Sequence, residues 1–460
     1  MKRLIISVAA AVTLAGCALT PDYERPDLDV PEEYGKSTPS GESIANLDWW
    51  ALFADPSLQD LIRIALAENK DLGIALSRIA EARAQVTVVR ANQYPFLDVF
   101  GSGGREKQSE LLFPGSSSTD TYSVGGDAFF EVDLWKSLSR STEAARADLL
   151  ATEAAYRNVT ISLVASVANF YLILRDLDNR LDISRRTVVG RQGSLEIVQA
   201  RFDKGTVPEL DVNQAQIELE IAVASVAAFR RQVVEAENAL QILLGRNPGN
   251  VPRGMSIYQQ EFPPVVPAGL PASLVNRRPD VVQAEEFLIS ETALIGVAEA
   301  LRYPSITLTG SAGVASDDLS DLNDGDAEFW NFGANIFAPI FNSGQLKAQS
   351  EAQRERAEQA LLNYEATLQQ AFREVEDALI GIDTYRDEHE ARSRQVIAAR
   401  NAARLSRARY DGGVVDYLEV LDSERSLFSS ELDESITLQR YLNSIVALYK
   451  ALGGGWDPDS

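Results

Sequence analysis

The 460-residue chain is 45% hydrophobic and 24% charged, ordinary for a folded protein and ample for a large buried core. Its net charge of −24 excludes a nucleic-acid partner, because phosphate recognition needs clustered Lys and Arg that no segment supplies. One Cys and one His exclude an internal disulfide and a His-rich metal site, and leave only His389 for any triad.

The N-terminus opens with Lys2 and Arg3, runs apolar from Leu4 to Leu14, and reaches Leu14-Ala15-Gly16-Cys17. That is a secretory signal over 1–16, too short to span a bilayer as a helix. Leu-Ala-Gly-Cys resembles the bacterial lipobox, which implies that Cys17 is lipidated and becomes the first mature residue. An acyl chain there partitions into lipid at about 0.8 kcal/mol per buried CH₂. Ala18 after it, rather than Asp, implies delivery to the outer membrane. Residues 17–45, with four prolines among Gly, Ser and acidic residues, read as an extended tether.

A first helix is expected over roughly 57–92, where Ala, Leu and Ile recur at helical spacing. The period then changes to two. "YPFLDVFGSGG" (94–104) and "TYSVGGDAFFEVD" (121–133) alternate like strands, with Tyr122, Val124, Ala128, Phe130 and Val132 on one face. "YPSITLTGSAGV" (303–314) and "FWNFGANIFAPI" (329–340) repeat the pattern, the latter with Trp330, Phe332, Ala334, Ile336 and Ile340 aligned. Each has roughly the 9–11 residues that a tilted membrane-spanning strand needs. The polar segments 105–120 and 315–327 are expected as loops.

Residues 137–203 and 344–410 are helix-forming throughout, without proline. A helix of that length extends about 100 Å at 1.5 Å per residue, beyond any compact globular domain. After a turn at 205–208 a heptad begins. Val212, Leu219, Val226, Val233 and Leu240 recur every seventh residue, with Ala215, Ala222, Phe229, Ala236 and Leu243 as the second stripe. The C-terminal counterpart, Leu421, Phe428, Leu442 and Tyr449 with Leu438, Ile445 and Leu452, is broken at Ser435. Between them, 246–280 holds seven prolines and reads as irregular, with a helix restarting at Pro279.

The landmarks align in pairs. "YPFL" at 94 matches "YPSI" at 303, Gly125 matches Gly333, and "RFDKGTVPELD" (201–211) matches "RYDGGVVDYLE" (409–419). The chain is therefore α+β and internally duplicated, with repeat 1 over 46–245, a linker over 246–278 and repeat 2 over 279–460. Each repeat is a helix, two strands, and a long helical hairpin reversed at Gly205 or Gly413. Four strands cannot close a barrel, and unpaired edges in lipid cost several kcal/mol per backbone group. Closure needs identical copies: two give eight strands, three give twelve, and a hollow helical cylinder below the strands favours three.

In order and spacing, "LDWWALFADPSLQDLI", "EVDLWKSLSRSTEAARADLLATEAAYRNV", "NRRPDVVQAEEFL", "APIFNSGQLKAQSEAQRERAEQALLNYE", "AFREVEDAL" and "LYKALGGGW" resemble the TolC/OprM family of outer-membrane efflux channels, in its lipidated branch. The resemblance implies a homotrimer with a twelve-stranded β-barrel in outer-membrane lipid and a periplasmic helical tunnel. It also implies a periplasmic adaptor protein and an inner-membrane proton-driven pump as partners, no cofactor, and small-molecule efflux; export of proteins in a type I system is the alternative duty.

The resemblance further implies a periplasmic gate of Leu418, Glu419 and Asp422, which by their spacing alone would read as a solvated acidic face. Asp211 with Tyr410 or Arg409 is expected as a closed-state lock, since Val415 stands where some relatives carry a further arginine. The tips Gly205-Thr206-Val207 and Gly413-Val414-Val415 are expected to meet the adaptor. No enzyme is indicated: "YGKST" (34–38) has Val30 where a phosphate loop needs Gly, and His389 lies on a charged helical face.

Overall fold

The computed structural model describes residues 22–28, 30–35, 43–262, 271 and 274–454. The signal segment, Cys17 and residues 18–21, 29 and 36–42 of the tether lie outside the described residues. Eleven principal elements follow in order: α1 (Pro56–Glu68), α2 (Lys70–Ala91), β1 (Phe96–Lys107), β2 (Ser118–Val132), α3 (Ser137–Asp203), α4 (Glu209–Leu243), α5 (Pro279–Ala300), β3 (Ser305–Ser316), β4 (Glu328–Phe337), α6 (Gln345–Asp411) and α7 (Tyr417–Ala451).

The duplication is exact in length for four of the element pairs. Helices α2 and α5 have 22 residues each, β1 and β3 have 12, α3 and α6 have 67, and α4 and α7 have 35. Pro279 does open α5, as expected of a residue whose missing N–H costs nothing at the first helical position.

One compact unit holds Ser77–Glu153 and Gln283–Glu365. Its centre is an antiparallel sheet in the order β1-β2-β3-β4. The register pairs Leu97 with Ala128, Ala128 with Gly310, and Gly310 with Phe332, so these residues share one face. That face is apolar and open: Leu97 is 78% exposed, Val99 88% and Trp330 74%. The opposite face carries Asp98, Ser102, Ser123, Asp127, Thr307, Thr309 and Asn335. That face also carries Phe100, Phe129, Phe329 and Phe337, and a broad exposed apolar face like that of Leu97 and Trp330 belongs to a strand facing lipid. β1 and β2 run longer than expected while β4 ends earlier, at Phe337, and the segment 315–327 contains two short helical turns, Leu319–Asn323 and Gly325–Ala327, in place of plain loop.

The other unit holds Asp29–Leu76, Ala154–Val282 and Ala366–Ser460. Its heptad stripes pack as expected, burying Ala215, Leu219, Ala222, Val233, Ala236 and Leu240 on α4. The expected continuous helix over 57–92 is a correction. It breaks at Asn69, whose extended backbone ends α1. The Asn69 side chain accepts from Leu72 N at 3.0 Å and donates to Leu243 O at 2.9 Å, replacing the helix bonds it interrupts. Ser435 is a second correction: it is no gap in the α7 stripe but fully buried, donating to Asp176 at 2.6 Å.

The Pro-rich linker, expected to be irregular, carries among its described residues a helical turn at Ile257–Gln259 and a four-residue helix at Leu274–Arg277, and it is held in place. Asp55, fully buried, accepts hydrogen bonds from Ser57 N (2.9 Å), Tyr171 Oη (2.7 Å), Met255 N (2.9 Å) and Gln260 Nε2 (2.9 Å). One carboxylate thus ties the start of α1, the middle of α3 and the linker together, which offsets the cost of burying its charge.

Candidate functional site

Both long hairpins reverse in the same way. Gly205 N donates to Phe202 O at 2.7 Å and Thr206 N to Arg201 O at 3.0 Å; Gly413 N donates to Tyr410 O at 3.0 Å and Val414 N to Arg409 O at 2.9 Å. This pair of crossed bonds is the Schellman ending, and it needs a left-handed residue. Gly205 at φ +70° and Gly413 at φ +69° provide it without the steric penalty of a Cβ. Pro208 and Asp416 then stand at the N-caps of α4 and α7.

The two reversals lie together. Val198, Ala215, Tyr410, Tyr417, Val420 and Leu421 form one buried cluster, with Leu195, Val207, Val212 and Val415 packed against it. Val207 and Val415 were expected as exposed tips; they fold back onto this cluster, because a β-branched residue beside the helix end loses less by burial than by hydration. Gly205, Thr206, Gly413 and Val414 stay in solvent, Val414 at 70% exposure.

Charge is distributed around that cluster. The Arg201 guanidinium lies 4.4 Å from the centre of the Tyr410 ring and 3.6 Å from Asp411, and Tyr410 in turn packs on Tyr417 at 5.3 Å. Arg409 pairs with Glu419 at 2.7 Å. Arg407 donates to Ser194 at 2.6 Å and lies 3.5 Å from Glu424, whose carboxyl burial pushes above its usual range against the pull of Arg407 and Arg191. One turn further from the tips, Glu218 is buried between Arg191 (3.0 Å) and Arg425 (2.5 Å).

The expected lock between Asp211 and Tyr410 or Arg409 is not formed within the chain. Tyr410 Oη is buried without a hydrogen-bond partner among the described residues, and Arg409 is committed to Glu419. Asp211 makes no side-chain hydrogen bond or ion pair there; burial, then the neighbouring Asp416 carboxylate, raises its pKa. The reason is geometric: Tyr410 is drawn inward by Tyr417, so its hydroxyl points into the cluster.

Leu418, Glu419 and Asp422 do share one exposed face of α7, opposite the buried Tyr417, Val420 and Leu421. Two residues that the sequence reading did not single out join them. Leu210 is 62% exposed, matching Leu418 at 59%, and Arg201 bridges the two reversals. Leu210 was already aligned with Leu418 by the duplication, which is the signal that finds it. No group of three or more metal-ligating side chains occurs among the described residues. His389 Nδ1 lies 3.7 Å from Glu434 and forms no hydrogen bond.

Comparison with known proteins bears on the whole chain. The family described as outer membrane efflux protein matches residues 61–246 and 270–454. The solvent efflux pump outer membrane protein SrpC of Pseudomonas putida is 37% identical, covering 99% of each chain. The cation efflux system protein CusC of Escherichia coli O6:H1 is 36% identical, covering 98% of each. The solved open state of the MtrE outer membrane channel of Neisseria gonorrhoeae is 32% identical with a TM-score of 0.87, over 95% of this chain and 98% of that one. With the lipid-type sheet, the duplicated hairpins and this match along nearly the full length, the chain belongs to the outer membrane efflux protein family.

Proposed function

We propose that the protein is the outer-membrane channel of a tripartite efflux pump, working as a homotrimer that gives small molecules a passive path from the periplasm to the exterior. The observation that carries this is the four-stranded sheet with an exposed apolar face and, among the described residues, two unpaired edges. Such a sheet is stable in lipid only when further strands close it. Three copies supply them, and Cys17, once acylated, adds an anchor in the same membrane.

The gate in this reading is the exposed stripe of Leu418, Glu419 and Asp422 with Leu210 beside it. Three-fold repetition gives an apolar constriction with an adjacent ring of carboxylates, so cations pass more easily than anions. The closed state is held within each chain by Arg409 with Glu419 and by Arg201 with Tyr410 and Asp411, while Asp211 is left to face a neighbouring copy. An adaptor protein of the periplasm docks on Thr206 and Val414, and an inner-membrane proton-driven pump selects the cargo. Relatives of nearly equal identity are named for cation and for solvent efflux, so identity does not choose the cargo.

The test has two arms. In planar bilayers Arg409→Ala should raise single-channel conductance several-fold, by freeing Glu419 and loosening the closed reversal; unchanged conductance would count against a gate here. In cells, Thr206→Glu with Val414→Glu should abolish efflux while protein level in the outer membrane is unaltered. Efflux that survives both charges removes the docking assignment.

A further inference from the structure

Two open clefts adjoin on the helical unit, among α3, α6, α7 and the linker turn. One, about 260 Å³, is bordered by Asn179, Tyr258, Ser393, Ile397, Arg400 and Glu434. The other, about 300 Å³, is bordered by Thr187, Gly190, Arg191, Glu424 and Phe428. Arg186 and Glu431 border both, so the two form one groove. From Asn179 to Arg191 it follows α3 for about 18 Å at 1.5 Å per residue. We propose that this groove binds an uncharged saccharide chain, one sugar ring stacked on Tyr258 and the rest running along α3 to Arg191. The site rests on the groove's own side chains and does not depend on the channel reading.

Charge decides against an ionic ligand. Two arginines and two glutamates border each cleft, and each of them already has a partner. Arg186 pairs with Asp182 at 3.1 Å, Arg191 with Glu218 at 3.0 Å, Arg400 with Glu431 at 2.8 Å and Glu424 with Arg407 at 3.5 Å. Glu434 accepts from Tyr258 Oη and from Ser393 Oγ, the latter at 3.1 Å. A phosphate, carboxylate or ammonium group would have to break one of these pairs. A neutral ligand instead uses their remaining lone pairs and N–H groups. Planar guanidinium and carboxylate groups offer parallel pairs of bonds, which suit neighbouring hydroxyls on a sugar ring.

Tyr258 supplies the stacking surface. It is 52% exposed, yet its hydroxyl is held by Glu434 and by Asn179 Nδ2 at 3.4 Å. Its turn is braced by Ser256, which donates to Gln259 Oε1 from Oγ at 2.9 Å and from N at 3.1 Å. A tyrosine held by its tip keeps its ring in one orientation and presents the ring to solvent. Ile397, 68% exposed on the same cleft, adds a second apolar patch. Small apolar patches among polar groups match the C–H faces of a pyranose; a hydrocarbon needs a mostly apolar lining.

An unmet donor marks the other end. Arg191 is 4% exposed, and its Nε–H has no acceptor among the described residues. A buried donor left unpaired is costly, and a ligand oxygen would remove that cost. Beside it, Gly190 has nothing within 4 Å of where a Cβ would stand. Glycine inside a helix is less stable than alanine, and packing does not require it here. A sugar ring seated in the groove does.

Calorimetric titration of the full-length protein in mild detergent tests this with two uncharged probes, chitotetraose and cellotetraose. At least one should bind saturably; no saturable heat with either overturns the proposal. Preference for the N-acetylated chain supports a cell-wall glycan as the source, and preference for the plain chain an exported one. Equal binding supports recognition of the ring that both share. Tyr258→Ala should weaken binding about tenfold and Tyr258→Phe less than about twofold, since only the first removes the ring. Equal weakening by the two overturns the stacking.

Gly190→Leu, at an exposed position with free space, should weaken the tetrasaccharide about tenfold and leave the matching disaccharide within about twofold. Equal effects on both lengths overturn the path along α3. Raising salt about tenfold should leave binding within about twofold, because screening acts on net charge. A steep loss in salt would show an ionic ligand site and overturn the proposal.

Discussion

The two helix reversals share a backbone and differ in how several of their side chains are buried and paired. Both end in the same hydrogen-bonded glycine turn, at almost the same φ. In the first, Phe202 and Glu209 are exposed; in the second, their counterparts Tyr410 and Tyr417 are buried and packed on each other. Arg201 in the first reaches across to the second, whereas Arg409 in the second pairs with Glu419 across the turn of its own hairpin. Duplication kept the turn, which both copies need in order to fold. It released the side chains around it, so one reversal became a brace and the other the piece that is braced.

The sharpest way to break this comparison is to substitute equivalent positions. Tyr417→Ala, which empties a buried aromatic site, should destabilise the helical hairpins by about 3–5 kcal/mol, read as a lower urea midpoint. Glu209→Ala at the matching exposed position should stay within about 0.5 kcal/mol. Similar losses at the two sites would mean the reversals are not specialised. Gly205→Ala and Gly413→Ala should instead behave alike, each costing about 1–2 kcal/mol, because both left-handed residues lose the same freedom. A large difference between them would show that one turn is strained by its neighbours.

The smallest expected effect is one of pH. Asp211 holds its proton more tightly in the folded chain than its ordinary value of 3.8, through burial and then Asp416. Between that value and the raised one the folded state binds more protons, so its contribution to stability falls as pH rises through this window. Asp211→Asn should therefore stabilise the reversal at neutral pH and flatten the pH dependence of unfolding in the mildly acidic range. The matching substitution Glu419→Gln removes an ion pair to Arg409 instead, and should not stabilise.

The long helices and strands were legible because their periods run for tens of residues, and the repeat supplied each element with a second instance. What was not legible depended on contacts far apart in sequence. Asn69 reads as an ordinary helical residue until Leu243 O is beside it. Ser435 reads as a gap until Asp176 fills the site opposite. Val207 and Val415 were assigned to solvent since a turn sequence carries no sign of the hydrophobic cluster beneath it. The expected contact of Asp211 with Tyr410 or Arg409 does not form within the chain for a related reason: a tyrosine's spacing does not say which way its ring will turn, and Tyr417 decides that for Tyr410.

The matched lengths of the paired helices restrict how such a chain can be resized. Removing one residue from a helix rotates everything beyond it by about 100°, and turns a seam residue toward the wrong neighbour. An indel in α3 or α6 is therefore tolerable only when α4 or α7 and the other repeat change with it, in steps of a heptad that restore the facing of every stripe. A shortened version built by taking seven residues from each of the four helices, about 10 Å of reach, is the smallest edit that keeps the design intact.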